Sequence, residues 1–499
     1  MSTLTGRFLE TCERLPEKLF VRDVDGSRYA YSEMRELAVG FAAHLEGLGL
    51  RPGDRVMLML PNSALWCAAY LGTLMAGCIA LPLDVNLRRH SIELVARSVT
   101  PALFIVDPAI ETGMDGIDTL RIADLGPIRS SLPTLKTEIR HYPVALILFT
   151  SGTTGESKGV QLGHDNLCFS ADSIIGWSGW REDDVDIGAM AFSHLFAIAH
   201  LHCNFLSGSS VLLFDGMSDA ENVLDTAIRL KATALPTSPA GLRVLADYWP
   251  EKLAEVGRHL RRVITNHATM PEDLIRKLLG LLPETQIFTY YGLTEASRCC
   301  VLHYNRHLEK LKTVGHPVEG VELKIKRPPD AEDDVGEIYV RGPNLTRGYW
   351  GEGGEGTESA GYFEDGWFAT GDLGRLDEDG FVTVLGRVRD QINVDGLKCS
   401  PEEVEKIICE HPSVEECAAV GLPDAITSER VVAAVVAADA SPKLALALRK
   451  RCKNSLEPHK IPKEVFFVDG LPRTRNGKLQ RAVVRQELLR GGADEERGR

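Results

Sequence analysis

Leu148-Phe149-Thr150-Ser151-Gly152-Thr153-Thr154-Gly155-Glu156-Ser157-Lys158-Gly159 places small hydroxyl residues, three glycines and one lysine directly behind an apolar run. Glycines let backbone N–H groups approach phosphate oxygens without an intervening Cβ. Hydroxyls add donors, and the lysine adds a point charge. The spacing of Gly152, Gly155, Ser157 and Lys158 fails the G-x-x-x-x-G-K-[ST] pattern, so a phosphate cradle here belongs to another nucleotide-binding class. Composition alone also allows a Ser/Thr/Gly-rich surface turn.

The apolar run before the cradle is one of several. Residues 56–60, 103–106, 144–149, 211–214, 262–265 and 286–291 are short, apolar and of strand length, and helical patterns separate many of them. This alternation predicts an α/β protein with largely parallel sheets covered on both faces, and ligands of such sheets bind at strand ends. Residues 64–83 carry no charge over a membrane-spanning length. Gly72, Gly77 and Pro82 punctuate that stretch and basic flanks are missing, so it reads as a buried helix over 64–76 followed by a strand over 78–81. After Arg389 a smaller unit begins. Ser400, Pro401 and Glu403 form a helix start with serine at the N-cap and glutamate at N3, leading a helix through Glu410. A strand over 431–438 and a helix over 444–456 follow. The expected division is 1–388, 389–490 and a disordered tail over 491–499, with a flexible loop over 351–356.

The 499 residues exceed one hydrophobic core, and 44% hydrophobic content supports a large one. A net charge of −14 argues against a nucleic-acid or membrane-surface binder. Eleven cysteines without a C-x-x-C pair read as reduced thiols, and the N-terminus lacks a secretory h-region, so a cytoplasmic location is expected. Adjacent Cys299 and Cys300 are either reactive or core filler.

Four further motifs follow the cradle: Tyr291-Gly292-Leu293-Thr294-Glu295, Gly366-Trp367-Phe368-Ala369-Thr370-Gly371-Asp372, Gly386-Arg387-Val388-Arg389-Asp390 and Pro472-Arg473-Thr474-Arg475-Asn476-Gly477-Lys478. In this order and spacing the chain resembles the adenylate-forming superfamily, most closely an AMP-forming acyl-CoA synthetase. That superfamily includes acyl- and aryl-CoA synthetases, adenylation domains of peptide synthetases and beetle luciferase. The resemblance runs from Leu60-Pro61-Asn62-Ser63 to Lys478. It implies a large N-terminal domain with a smaller β subdomain, and a small mobile α+β C-terminal domain.

The resemblance also implies roles. Thr150, Ser151, Gly152, Thr153, Thr154, Gly155 and Lys158 would close over the β- and γ-phosphates of ATP. Tyr291 and Gly292 would flank adenine, Thr294 would hydrogen-bond the α-phosphate, and Glu295 would hold Mg²⁺. Asp372 would accept from the ribose hydroxyls, with Arg387 nearby. Lys478 would bridge the substrate carboxylate and the α-phosphate. Arg389 would be the hinge that exchanges Lys478 for the Gly396 segment, which would meet the pantetheine arm of the thiol. His194 would stand beside the substrate carboxylate and thiol tunnel. His267 would intrude on the acyl pocket or the adenine edge, Ala268 would line the pocket, and Arg298 would lie on its side, where it could pair with a polar or anionic group on the acid. Simpler readings exist: an Asx turn for Asp372, a helix N-terminal acid for Glu295, a core histidine for His194, a surface ion pair for Arg298 and a solvated surface lysine for Lys478.

The chain departs from the family pattern at several places. Ser157 and Ala191 replace prolines, and Asn266-His267 stand where glycines are common. Leu195 replaces the aspartate of amino-acid-activating members. Asn393 and Asp395 replace lysines of some plant aryl-CoA ligases. Only about twenty residues follow Lys478, too few for a carrier domain, so the acyl acceptor is expected to be separate. Coenzyme A leads, and the phosphopantetheine of a separate carrier protein is the alternative. A luciferase-like oxygenase and a catalytically silent binding protein are further readings. The carboxylic acid itself is not legible.

Overall fold

The computed structural model describes residues 3–110, 117–121, 139–150, 158–266, 270–327, 334–351, 363–387, 392–472, 479 and 481–496. The chain divides into two compact units, one of residues 1–85, 95–149 and 159–386, the other of 86–94, 150–158 and 387–499. The sequence placed the main division after 388; it falls after 386, and segments 86–94 and 150–158 group with the smaller unit.

In the larger unit a nine-stranded sheet runs His316–Pro317, Cys300–His303, Gln286–Tyr291, Arg262–Asn266, Ala234–Pro236, Val185–Gly188, Ser210–Leu213, Leu19–Arg22 and Arg28–Ala30. Its centre, from Gln286–Tyr291 to Leu19–Arg22, is parallel, and both edges are closed by antiparallel strands. The six-stranded sheet has the order Thr119–Arg121, Leu103–Val106, Arg55–Met59, Ile79–Pro82, Val144–Thr150, Lys158–Gly163. Leu103–Val106 and Ile79–Pro82 are buried on both faces, as apolar runs without alternation require in a helix-covered parallel sheet. A five-stranded sheet holds Glu322–Lys326, Gly336–Arg341, Trp367–Leu376, Phe363–Glu364 and Val382–Arg387, and is the smaller β subdomain.

The uncharged stretch after Asn62 forms the helix Ala64–Met75, with Ser63 capping the Trp66 N–H at 3.1 Å. Every residue of that helix except Leu65 is buried, inside one apolar cluster with Phe41, Leu58 and Leu201. No helix among the described residues is long and apolar enough to cross a membrane.

The smaller unit packs the helices Pro401–Cys409 and Pro442–Ser455 on a sheet ordered Leu397–Cys399, Ile392–Val394, Ser428–Ala437, Val414–Asp424, with Glu464–Phe467 beside Ser428–Ala437. Val404, Ile408, Ala433 and Leu448 form its core. The helix start holds as expected, with Ser400 at the N-cap and Pro401 at N1, although Ser400 makes no side-chain cap bond and Glu403 accepts from the buried Lys460 ammonium at 2.8 Å. One local expectation needs correction. The segment expected to be a disordered tail begins as helix, since Arg481–Glu496 is continuous.

Candidate active site

The strand Gln286–Tyr291 runs into a tight loop that returns as Cys300–His303. The Cys299 N–H donates to the Tyr291 carbonyl at 2.7 Å, and the Leu293 N–H to the Ala296 carbonyl at 2.9 Å. Thr294 and Glu295 sit at the apex of that inner turn, so Glu295 is a loop residue rather than a helix N-terminal acid. A Cβ on Gly292 would lie 2.6 Å from the Arg298 nitrogen and 3.1 Å from the Ala296 carbonyl oxygen. Both obstacles are backbone, so only glycine allows the loop to close.

A segment that the sequence reading missed fixes this loop. Leu345 pairs with Ala296, and Tyr349 pairs with Val160 on the strand leaving the cradle. The Tyr349 hydroxyl donates to Glu295 Oε1 at 2.9 Å, and the Thr346 N–H donates to the Glu295 carbonyl at 2.7 Å. The Asn344 amide donates to the Ser297 carbonyl at 2.9 Å, and the Thr346 hydroxyl to the Gln161 carbonyl at 2.6 Å. Gly342-Pro343-Asn344 carries no motif of its own. Its contacts lie far away in sequence, where periodicity carries no signal.

Asp372 lies on Trp367–Leu376 and is 4% exposed. Its Oδ2 accepts the Tyr291 hydroxyl at 2.6 Å. Burial first, then the Asp372 charge, hold that hydroxyl well above its ordinary pKa, so it remains a donor. The turn at this point belongs to Thr370, whose hydroxyl accepts the Asp372 N–H at 3.1 Å. The Asp372 carboxylate faces Tyr291.

His194 immediately precedes the helix Leu195–Ser207, and its Nε2 is 3.9 Å from Asp84 Oδ2 with its side chain 44% exposed. It is therefore not a core histidine. Arg298 departs furthest from the surface ion pair that its composition allowed. It is 2% exposed, has φ +55°, and stacks 4.9 Å from the Tyr290 ring centroid. Cys299 and Cys300 are wholly buried, and burial pushes both thiols up, so they are core rather than nucleophiles.

Thr150 ends the strand Val144–Thr150, and Lys158 opens Lys158–Gly163. Arg387 ends Val382–Arg387. Gly396 is exposed at the tip of a hairpin, with Asp395 at φ +51° and Gly396 at φ +80°, and its N–H donates to Asn393 Oδ1 at 2.8 Å. A two-residue hairpin turn of this type demands positive φ at both positions, so the turn alone accounts for the glycine. Ser151, Gly152, Thr153, Thr154, Gly155, His267, Ala268, Arg389, Lys478 and the 352–356 part of the expected loop lie outside the described residues. No group of three or more His, Cys, Asp or Glu that would hold a metal occurs among the described residues. Mg²⁺ bound through one carboxylate and phosphate oxygens requires no such group, and Glu295 fits that mode.

Residues 8–350 match the AMP-binding enzyme family, and residues 403–478 match the AMP-binding enzyme C-terminal domain. The chain belongs to the AMP-binding enzyme family. A 2-succinylbenzoate–CoA ligase of Geobacillus kaustophilus is 30% identical, with 98% of each chain covered. A feruloyl-CoA synthase of an Amycolatopsis species is 29% identical over 93% of this chain and 94% of its own. The o-succinylbenzoate CoA synthetase of Bacillus subtilis, solved as a double mutant with a product analogue, superposes with a TM-score of 0.86 at 26% identity. The match covers 95% of this chain and 97% of that one. This AMP-binding family member is accordingly an enzyme, an AMP-forming ligase of the acyl-CoA synthetase type, from a family that uses ATP and coenzyme A.

Proposed function

We propose that the chain joins a carboxylic acid to the α-phosphate of ATP with loss of pyrophosphate, then passes the acyl group to the thiol of coenzyme A. The observation that carries this reading is the pairing of Tyr291 with the buried Asp372 carboxylate beside the Glu295 loop. A carboxylate is a poor electrophile, and joining it to phosphate brings two anions together. The protein's contribution is then to supply cations and donors around both.

In this reading Asp372 accepts from the ribose hydroxyls and Tyr291 flanks adenine. Thr294 donates to the α-phosphate, and the cradle from Thr150 to Lys158 holds the outer phosphates. Glu295 takes Mg²⁺, a hard ion that suits carboxylate and phosphate oxygens. The tyrosine bond to Glu295 leaves the carboxylate further lone pairs for an ion. Lys478 would offset the charge of the approaching carboxylate, and Arg389 would let the smaller unit change position before the thiol attacks. His194 would stand beside the reacting carboxylate, and His267 and Ala268 would set the shape of the acyl pocket. Names of relatives as different as a feruloyl-CoA synthase and a long-chain-fatty-acid–CoA ligase support coenzyme A as acceptor and leave the acid open.

The test is a carboxylic acid library with ATP, Mg²⁺ and coenzyme A, read by mass spectrometry. Acid-dependent acyl-AMP and acyl-CoA are expected. Acyl-AMP that reacts with a phosphopantetheinylated carrier protein and leaves coenzyme A untouched would move the acceptor to a separate carrier.

A further inference from the structure

Among the described residues the larger unit buries two arginines to the same degree, and one of them has no counterion. Arg262 is 2% exposed, and its Nη1 donates to Asp184 Oδ2 at 2.6 Å, with the Ser178 and Gly179 carbonyls taking further N–H groups. Arg298 is also 2% exposed, yet it forms no ion pair with an Asp or Glu among the described residues. Its Nη1 donates to Ser297 Oγ at 2.5 Å, its Nη2 reaches the Leu195 carbonyl at 3.5 Å, and its Nε has no partner. A guanidinium has five N–H donors, and a buried cation without an anion is costly unless a ligand supplies one.

Among the described residues, the groups packed against it supply no negative charge. His200, 2% exposed with both ring nitrogens unpartnered, is held well below its ordinary pKa by burial and then by Arg298 and Arg262, and is neutral. Phe196 stacks 5.9 Å from Tyr290 and lies tilted 4.8 Å from His200, so the cation sits among aromatic rings. Its backbone is held at φ +55°, a conformation that costs free energy in any residue but glycine and that gathers at ligand sites.

Its position ties it to the acid. The carbonyl that its Nη2 approaches belongs to Leu195, the residue after His194, and Arg298 itself follows Glu295 by three positions. Tyr290, beneath the guanidinium, lies opposite Asn266, the residue before His267.

We propose that Arg298 binds a second anionic group on the acid, so that the enzyme activates one carboxylate of a dicarboxylic acid while the other pairs with this guanidinium. This inference rests on the ligase reading given above. The missing counterion is then the substrate, and acids with an apolar far end leave the buried charge unpaired.

Matched pairs of acids test it: hexanoate against adipate, 3-phenylpropanoate against 3-(4-carboxyphenyl)propanoate, and benzoate against terephthalate. Binding is measured by calorimetry and turnover by pyrophosphate release, in the wild type and in Arg298→Met. In at least one pair the wild type binds the diacid about tenfold or more tightly than the monoacid, and Arg298→Met removes that ratio. A structural role would weaken both members of a pair equally and keep the ratio. The proposal is overturned if the wild type prefers the monoacid in every pair, a result that needs no folded variant. An unchanged ratio in Arg298→Met, or weakened ATP binding with the ratio intact, overturns it as well. Failure of the ligase reading is separate: binding with the expected ratio but no pyrophosphate from any acid.

Discussion

The Tyr291 hydroxyl donates to Asp372 Oδ2 at 2.6 Å across 81 residues of sequence, joining the end of a parallel strand to the β subdomain. Removing that donor leaves a buried carboxylate short of a partner, at a cost of about 1.5–3 kcal/mol. Tyr291→Phe is expected to lower kcat/KM for ATP by about tenfold to a hundredfold, and Asp372→Ala by more. Steady-state kinetics with ATP varied checks this, and wild-type constants in Tyr291→Phe would separate the pair from the nucleotide.

The Tyr349 bond to Glu295 predicts a change in metal dependence. Tyr349→Phe frees the carboxylate that is expected to hold Mg²⁺, so the Mg²⁺ concentration for half-maximal rate should rise several-fold while KM for the acid moves little. A Mg²⁺ titration identical to wild type would reduce the bond to a structural one.

Asp186 makes stability depend on pH. It is fully buried, and burial pushes its carboxyl up to about 7 from an ordinary 3.8, with the Asn204 amide at 3.0 Å opposing the shift. The folded chain therefore holds a proton that the unfolded chain releases between those values. Stability falls as pH rises through that window, and the full penalty is present above about 7. Asp186→Asn should flatten the slope and gain in Tm relative to wild type between pH 5 and pH 8. Parallel Tm curves for the two proteins would contradict this.

Lys478→Ala should abolish acyl-AMP formation and leave thiolysis of supplied acyl-AMP largely intact, because its charge matters only while two anions approach. Equal collapse of both half-reactions, measured separately, would assign the lysine a different role.

Much of this was legible from short-range pattern. The apolar runs at 103–106 and 286–291 became strands with those bounds, and the uncharged stretch after Asn62 became a buried helix closed before Gly77. What failed had competitors far away in sequence. Ser400 and Glu403 hold the expected N-cap and N3 places, and only the capping bonds gave way, because Lys460 takes the glutamate. The Gly342–Tyr349 stretch carried no signal in the sequence, because its partners at Gln161 and Glu295 are set by tertiary packing. Arg298 reads as a surface residue on composition, and only the fold shows a buried guanidinium without a carboxylate partner among the described residues.

The central claim is that the acid carboxylate itself attacks the α-phosphate. With an accepted acid labelled by ¹⁸O in both carboxylate oxygens, thiolysis breaks the bond from the acyl carbon to the bridging oxygen, and that oxygen stays on phosphorus. The account predicts one ¹⁸O in AMP for each thioester formed, and none in pyrophosphate. Unlabelled AMP, or label appearing in inorganic phosphate beside ADP, would contradict it.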